Sequence, residues 1–236
     1  MALSSVGYKR HRFPPAINAH AVWLYFRFPL SLRLVAEMLL ERGIVVSHET
    51  VRRWAMKFGR AYARRLRRKR PRSRDIWHLD EVVVSIGGKK HWLWRAVDED
   101  GFVLDALVQN RRDRRAAERL MRKLIRKQAR TSRVLVTDKL GSYGAARRSL
   151  GHTIEHRQHK RLNNGAENSH QPTRRRERIM KRFKSSRHVQ RFVSIHDQIA
   201  NLFHFSHHSL TSAEYRILRA EAMTVWQEVA CDRTAA

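Results

Sequence analysis

Residues 76–110 read IWHLDEVVVSIGGKKHWLWRAVDEDGFVLDALVQN, and this stretch decides the fold class. It consists of three runs rich in β-branched and aromatic residues, which favour strands. Gly87–Gly88 and Asp100–Gly101 separate the runs, and both dipeptides are typical of hairpin turns. The pattern therefore predicts three consecutive antiparallel strands over 76–86, 91–99 and 102–110.

The chain beyond the third run alternates between helical and strand patterns. An amphipathic helix is predicted over 113–130, with its inward side formed by Ala116, Ala117, Leu120, Met121 and Leu124. The later elements are predicted as a strand over 133–138, a helix near 142–150, a strand near 152–156 and a long basic helix from about Asn164. This order predicts a mixed α/β sheet of ribonuclease-H-like topology.

That topology carries acidic residues in its first strand, at the end of its fourth strand and on a late helix, where this sequence has Asp80, Asp138 and Glu167. A carboxylate inside an apolar strand is costly unless it is paired or binds a cation. Mg²⁺ and Mn²⁺ prefer hard oxygen ligands, and two such ions can activate an attacking oxygen and stabilise the leaving one at phosphorus. The three acids therefore predict a two-ion catalytic site.

Each acid also has a purely structural interpretation. Asp80 could be a buried, hydrogen-bonded side chain, and Asp138 could be a turn residue in the segment TDKLGSYG. Glu167 could close a capping box that Asn164 begins three residues earlier. Because the three acids occur together in a chain with a formal net charge of +29, we favour the metal site.

The late basic helix offers two candidates for the third acid, Glu167 and Glu177. Arg174 favours Glu167, because seven residues are about two helical turns and would put both side chains on one face. Pro172 lies between them and removes one backbone hydrogen bond from a helix. A kink or a break is therefore expected there.

The charge of the chain indicates an anionic partner. Lys and Arg number 50 against 21 Asp and Glu, and the pI is about 11.6. Nucleic acid is the commonest such partner, with an anionic membrane surface as the alternative. The single Cys231 argues against a disulfide scaffold or a thiolate zinc site, and no apolar run approaches the ~20 residues of a membrane span. We expect no membrane partner and an intracellular protein.

A small helical module is predicted over residues 14–58. Ser31 is a good N-cap for a second helix that ends near Gly43, and a third helix begins at Ser47. Two helices joined by a short glycine-bearing turn form a helix-turn-helix, whose later helix enters the major groove of DNA. The outward residues of that helix would be His48, Glu49, Arg52, Arg53 and Lys57. An ordinary three-helix bundle with a basic face is the alternative.

Basic residues are also dense over 60–74 and in the late helix. These charges repel one another unless phosphates neutralise them, although a plain charged linker would also explain 60–74. Phosphate contacts are predicted at Arg64, Arg65, Arg67, Arg68, Lys160, Arg161, Arg174, Arg175, Arg178 and Lys181. The predicted domains are a helix-turn-helix domain over 1–59, a basic linker over 60–74, a catalytic domain over 75–205 and a C-terminal helical segment over 206–236.

Three stretches and the helical module carry a family resemblance. The stretches read HLDEVVV (78–84), VTDKLGSYG (136–144) and EHRQHKRLNNGAENSHQPTRRRERIMKRFKS (155–185). They resemble the DDE transposases of bacterial insertion sequences, and specifically family six, the group typified by insertion sequence twenty-six. The resemblance covers the chain from about Phe13 to about His207.

The resemblance implies a catalytic triad of Asp80, Asp138 and Glu167 with two Mg²⁺ or Mn²⁺ ions, and a helix-turn-helix that binds terminal inverted repeats. It implies cleavage by water at the element ends, attack of the 3′-hydroxyls on double-stranded target DNA, and replicative cointegrates. It also implies a homodimer or larger assembly on paired ends, and a cytoplasmic, nucleoid-associated bacterial protein. The 28 residues between the second and third acids, 139 to 166, are fewer than is common in the family. A non-catalytic DNA-binding regulator and a nuclease without strand transfer are the alternatives.

Overall fold

The computed structural model describes residues 7–8, 11–69, 73–151, 154–159, 163–205 and 210–231. The chain divides into two compact units, one made of 1–70 with 195–236 and the other of 71–194. We call the first the helical unit and the second the sheet unit. Within the described ranges, no helix is both long and apolar enough to cross a bilayer.

The helices and strands follow one another in mixed order along the chain. The strands are β1 Ile76–Ile86, β2 Lys89–Asp98, β3 Val103–Gln109, β4 Val134–Thr137 and β5 Glu155–Gln158. The helices are α1 Pro15–Arg27, α2 Leu32–Leu40, α3 His48–Lys69, α4 Arg114–Gln128, α5 Gly141–Ser149, α6 Asn164–Ser169, α7 Gln171–Ile179, α8 Ser186–Leu202 and α9 Ser212–Ala230. The division between the two units falls within α8, between Ser194 and Ile195.

The sheet unit contains one sheet of five strands among the described residues, in the order β3-β2-β1-β4-β5. β1 pairs with β2 and β2 with β3 in antiparallel fashion, whereas β4 is parallel to both β1 and β5. Gly87 and Gly88 have φ values of +56° and +79° and close the tight turn between β1 and β2. This arrangement confirms the predicted mixed α/β sheet of ribonuclease-H-like topology.

One face of the sheet is covered by α4 and α5. Asp113 begins α4 by accepting a hydrogen bond from the backbone N–H of Ala116 at 2.9 Å. The core of this layer includes Trp77, Leu79, Trp94, Leu104, Leu120, Leu124 and Tyr143. Because side chains alternate along a strand, Leu79 faces this layer and Asp80 faces the opposite side of the sheet.

The predicted late helix is two helices, α6 and α7, which meet at His170. Pro172 occupies the first turn of α7, where a missing N–H costs little because the helix would not use it. The expected break is confirmed. Glu167 and Arg174 therefore lie on two successive helices rather than on the one continuous helix that was predicted.

The helical unit packs α1, α2, α3 and α9 around one apolar core. Ser31 and Ser47 accept hydrogen bonds from the backbone N–H groups of Leu34 and Thr50 at 3.1 and 3.2 Å, and so begin α2 and α3. Gly43 follows α2 with a φ of +73°. The core includes Val22, Phe26, Val35, Leu39, Val51, Trp54, Phe58, Tyr62, Ile199 and Trp226. Seven residues, 41–47, connect α2 and α3, and the helix-turn-helix remains a prediction.

The predicted linker over 60–74 was wrong over its first ten residues, because α3 continues to Lys69. Tyr62, Ala63 and Leu66 are buried and extend the apolar side of α3 beyond Phe58 at helical spacing. In the sequence, the many arginines of this run obscured its apolar spacing. Residues 70–72 lie outside the described residues.

The unit boundaries also differ from the predicted domains. Residues 195–205 belong to the helical unit rather than to the predicted catalytic domain. The described part of the predicted C-terminal segment, 210–231, is grouped there as well, and the ring of Trp226 packs edge-on against that of Tyr62, with centroids 5.2 Å apart. The helical unit is therefore assembled from both ends of the chain.

Candidate active site

Asp80 lies in the middle of β1, on the face of the sheet opposite α4 and α5. Asp80 is 9% exposed, and its Oδ2 atom lies 3.3 Å from Nε2 of His170. Burial raises the pKa of the Asp80 carboxyl to about 6, and the charge of Asp138 is the second cause. The positive charges of Arg112 and Arg174 lower that pKa and oppose the shift. The charged form of Asp80 is therefore less stable here than in an exposed aspartate, although a pKa of about 6 leaves the carboxyl mostly ionised at neutral pH.

Asp138 follows the last residue of β4 directly. In the parallel register of β1 and β4, Leu79 pairs with Thr137. Asp80 follows Leu79 and Asp138 follows Thr137, so the two acids are neighbours across these strands. Oδ1 of Asp138 accepts a hydrogen bond from the backbone N–H of Leu140 at 2.9 Å. Asp138 thus has the predicted turn role, and it also lies beside the first acid.

Glu167 lies on α6, and its side chain is exposed. The Asn163 side chain just before α6 donates to the backbone carbonyl of Leu79 at 2.9 Å, and this bond attaches the start of α6 to β1. Asn164 is inside the helix, and Asn163 occupies the N-cap instead. The capping-box interpretation of Asn164 with Glu167 therefore has no support.

The three acids do not form a common ligand set in the structure. Among the described residues, no group of three His, Cys, Asp or Glu side chains is positioned to hold a metal ion. Asp80 and Asp138 are neighbours, and as hard oxygen donors whose charges repel one another they fit a divalent cation. Glu177, the rival third acid, accepts a hydrogen bond from the backbone N–H of Ser85 at 2.7 Å.

A buried acid on the other side of β1 was missed by the sequence analysis. Glu81 accepts hydrogen bonds from Nε of Arg112 at 2.7 Å and from the hydroxyl of Tyr143 at 2.6 Å. The Arg112 guanidinium lies 3.7 Å from Oδ2 of Asp138 and 4.9 Å from the ring centre of Trp92. Arg112 thus connects this pair to the candidate site, and nothing in the sequence distinguished it from its neighbours.

Basic residues line a cleft of about 500 Å³ beside β1 and α7. The lining residues are Val83, Ser85, Arg174, Glu177, Arg178, Lys181 and Arg182. Lys181 and Arg182, just after α7, have φ values of +49° and +75°, in the region that side-chain-bearing residues rarely adopt. Three predicted phosphate contacts, Arg174, Arg178 and Lys181, line this cleft together with Arg182. Arg175 was also predicted as a phosphate contact; it is exposed on α7 but is not one of the lining residues.

The predicted contacts of the helical unit lie along α3. The exposed residues are His48, Arg52, Arg53, Lys57, Arg64, Arg67 and Arg68. Arg65 was predicted wrongly as a phosphate contact, because it is 6% exposed and donates a hydrogen bond to the Val229 carbonyl at 2.8 Å. It faces the apolar side of α3, which the alternation of charges in the sequence did not reveal. Lys160 and Arg161 lie outside the described residues.

Comparison with known proteins adds a family match. A family model for a DDE domain (DDE_Tnp_IS240) matches residues 74–206. The transposase for insertion sequence-like element IS431mec of Staphylococcus aureus (strain N315) is 31% identical over 135 residues, which are 57% of this chain and 60% of that protein. The transposase for insertion sequence element IS257 in transposon Tn4003 of Staphylococcus aureus is 30% identical over the same lengths. The chain thus matches 60% of the length of these curated relatives.

Two solved structures are also similar to the chain. One is the simian T-cell lymphotropic virus intasome in complex with PP2A regulatory subunit B56 gamma, at 18% identity and a TM-score of 0.43. That match covers 71% of this chain and 58% of the other. The second is the catalytic core domain of BIV integrase, at 17% identity and a TM-score of 0.38, covering 65% of this chain and 99% of the other.

Proposed function

The chain belongs to the family of DDE domains of insertion-sequence transposases, and from that membership we propose that it is a transposase that cuts and joins DNA strands. The observation that carries the proposal is the pair of carboxylates, with Asp80 in β1 and Asp138 directly after the neighbouring parallel strand β4. A buried carboxyl with a raised pKa beside a second acid is typical of a cation-binding active site. The proposed reaction is cleavage at terminal inverted repeats, strand transfer by the 3′-hydroxyls and replicative cointegrate formation.

In this proposal Asp80 and Asp138 hold divalent cations, and Glu167 completes the set from α6. Two Mg²⁺ or Mn²⁺ ions, when bound, would stabilise charge on the attacking and leaving oxygens of the scissile phosphate. Arg112 would offset part of the charge of Asp138, since its guanidinium lies 3.7 Å from Oδ2 of that carboxylate. Arg174, whose charge reaches Asp80, would hold a DNA phosphate next to the acids.

Recognition of the element ends is assigned to α3. His48, Arg53 and Lys57 are exposed on it, and the later helix of a helix-turn-helix enters the major groove. Arg52 makes two hydrogen bonds to Glu49, at 2.7 and 2.6 Å, so this ion pair must rearrange if Arg52 is to reach a base. A phosphate contact needs no such rearrangement.

The phosphate-binding surface consists of the exposed arginines of α3 and the basic cleft of α7. Such contacts fix the position of a duplex without reading its sequence. Lys160 and Arg161 belong to this proposal by sequence alone. We further propose that the protein acts on double-stranded element ends and target DNA as a homodimer or larger assembly, inside the bacterial cytoplasm where that DNA is found.

The test uses a plasmid that carries the two ends of the protein's own element. Wild-type protein with Mg²⁺ is expected to cut at the ends and to join them to target DNA. Asp80→Asn and Glu167→Gln are each expected to abolish cutting while end binding in a gel-shift assay persists. Asp100→Asn is the matched control, since this exposed hairpin acid pairs with Arg74 and should leave cutting unchanged. Cutting by Asp80→Asn would remove that residue from the mechanism.

A non-catalytic regulator is the second candidate function. It is favoured by one observation, namely that Glu167 does not share a ligand set with the other two acids in the described structure. A wild-type protein that binds the element ends but never cuts them, with either Mg²⁺ or Mn²⁺, would establish this function. Cutting without joined products would indicate a nuclease instead.

A further inference from the structure

The short helix α6 that carries Glu167 is attached to the sheet at both of its ends. Before its start, Asn163 donates to the Leu79 carbonyl at 2.9 Å. At its end, the buried Arg95 of β2 donates a hydrogen bond to the Ser169 carbonyl. A helix of six residues is too short to be stable alone, so its position depends on these attachments.

His170 follows α6 directly and is only 2% exposed. Its Nε2 atom lies 3.3 Å from Oδ2 of Asp80, and its backbone N–H donates to the Glu167 carbonyl at 3.2 Å. Residues three apart on a helix are neighbours on its surface. The imidazole ring of His170 therefore lies against Asp80, and His170 is one helical turn from Glu167.

We propose that His170 is a positioning residue of the DDE site, which fixes the Asp80 carboxylate and sets the place of α6 and hence of Glu167. The inference rests on the proposed function, because it concerns the cation site of that reaction. Side chains that hold metal ligands in place from behind typically change metal affinity or activity by about 10- to 100-fold when they are replaced. We expect an effect of this size at position 170.

Three replacements separate positioning from simple packing. In His170→Gln the side-chain amide can occupy the place of Nε2 and still reach Asp80. In His170→Asn the amide is one carbon shorter and falls short of it, although the side chain stays polar. His170→Leu fills similar space without any polar atom. If His170 serves packing alone, His170→Leu should change Mn²⁺ binding least. If it positions Asp80, His170→Gln should change Mn²⁺ binding least.

The first measurement is the binding of Mn²⁺ alone to the full chain, followed by electron paramagnetic resonance without DNA. We expect His170→Gln to bind Mn²⁺ within about threefold of wild type, and His170→Leu and His170→Asn to bind it at least about tenfold more weakly. His188→Leu is the matched control. That half-buried histidine packs edge-on against Phe183, with ring centres 5.6 Å apart, and its replacement is expected to leave Mn²⁺ binding unchanged.

The second measurement is the Mn²⁺ concentration that gives half-maximal cutting, compared with end binding in the absence of metal. We expect His170→Leu to raise this concentration while end binding stays at the wild-type level. Equal Mn²⁺ affinities for wild type, Asn and Gln would overturn the proposal, and this comparison holds even if the Leu variant does not fold. Absence of Mn²⁺ binding by wild type would overturn it too. If wild type binds Mn²⁺ but never cuts, only the proposed function fails, and the Mn²⁺ affinities still decide the role of His170.

Discussion

Asp80 occupies a position where an apolar residue would stabilise the sheet. It lies within a strand, is 9% exposed, and has a second carboxylate beside it. Its ionised form is therefore disfavoured by burial and by the charge of Asp138, and the folded state carries this cost at neutral pH. A bound cation would offset the negative charges and remove this free-energy cost. This is the physical reason why a buried acid such as Asp80 suits a metal site.

The cost can be measured from the pH dependence of stability. The pKa of Asp80 is about 6 in the folded chain, above its value of 3.8 in the unfolded chain, so protonation favours the folded state. Without metal, Asp80→Asn is expected to be more stable than wild type to urea at pH 7.5, by at most about 3 kcal/mol. The difference should shrink as the pH falls through about 6 and vanish below about pH 3, where the carboxyl is protonated in both states. Asp100→Asn, at an exposed acid, should show no such difference. Equal stabilities of Asp80→Asn and wild type at pH 7.5 would contradict the raised pKa.

The sequence identified the acids but not the residues that surround them. Asp80 and Asp138 could be found because their strands and topology were predictable from hydrophobic pattern. Arg112 and His170 could not, since each meets its partner through the register of the sheet and the break between α6 and α7. Spacing along the chain carries no signal of such contacts. They required the assembled sheet.

The strands were more predictable than the helices. β1 was predicted with its exact bounds, because its β-branched run ends at a glycine pair that only a turn accommodates. α3 was predicted too short, because ten of its residues carry mostly charge and were interpreted as a linker. Its apolar stripe of Tyr62, Ala63 and Leu66 is the signal that should have extended it.

The two sides of α3 predict opposite effects for its arginines. Replacing Arg64, Arg67 and Arg68 together by Gln is expected to leave stability unchanged and to lower the salt dependence of DNA binding by about three units, one for each phosphate contact. Arg65→Gln should lower the free energy of unfolding by roughly 1.5–3 kcal/mol, because the shorter amide cannot reach the Val229 carbonyl. It should leave the salt dependence unchanged. Urea unfolding and binding titrations at several salt concentrations test both, and the opposite pattern would reverse the assignment.

The charge of the whole chain determines how its DNA binding must be measured. A net charge of +29 favours any duplex at low salt, so affinity there says little about recognition. Two surfaces contribute in different ways if the proposed function holds. In the proposed function, α3 of the helical unit would read base edges, whereas the basic cleft of the sheet unit would hold phosphates.

Paired variants separate the two contributions. His48→Ala with Arg53→Ala, on α3, is expected to reduce the preference for element ends over a scrambled duplex by about 5- to 150-fold, as for a lost base contact of about 1–3 kcal/mol. Arg178→Gln with Arg182→Gln, in the cleft, should weaken both duplexes by the same factor and lower the salt dependence by about two units. Titrations of both duplexes between roughly 50 and 200 mM salt give these numbers. A change in preference caused by the cleft variants would mean that the sheet unit also reads sequence, because phosphates are the same in both duplexes.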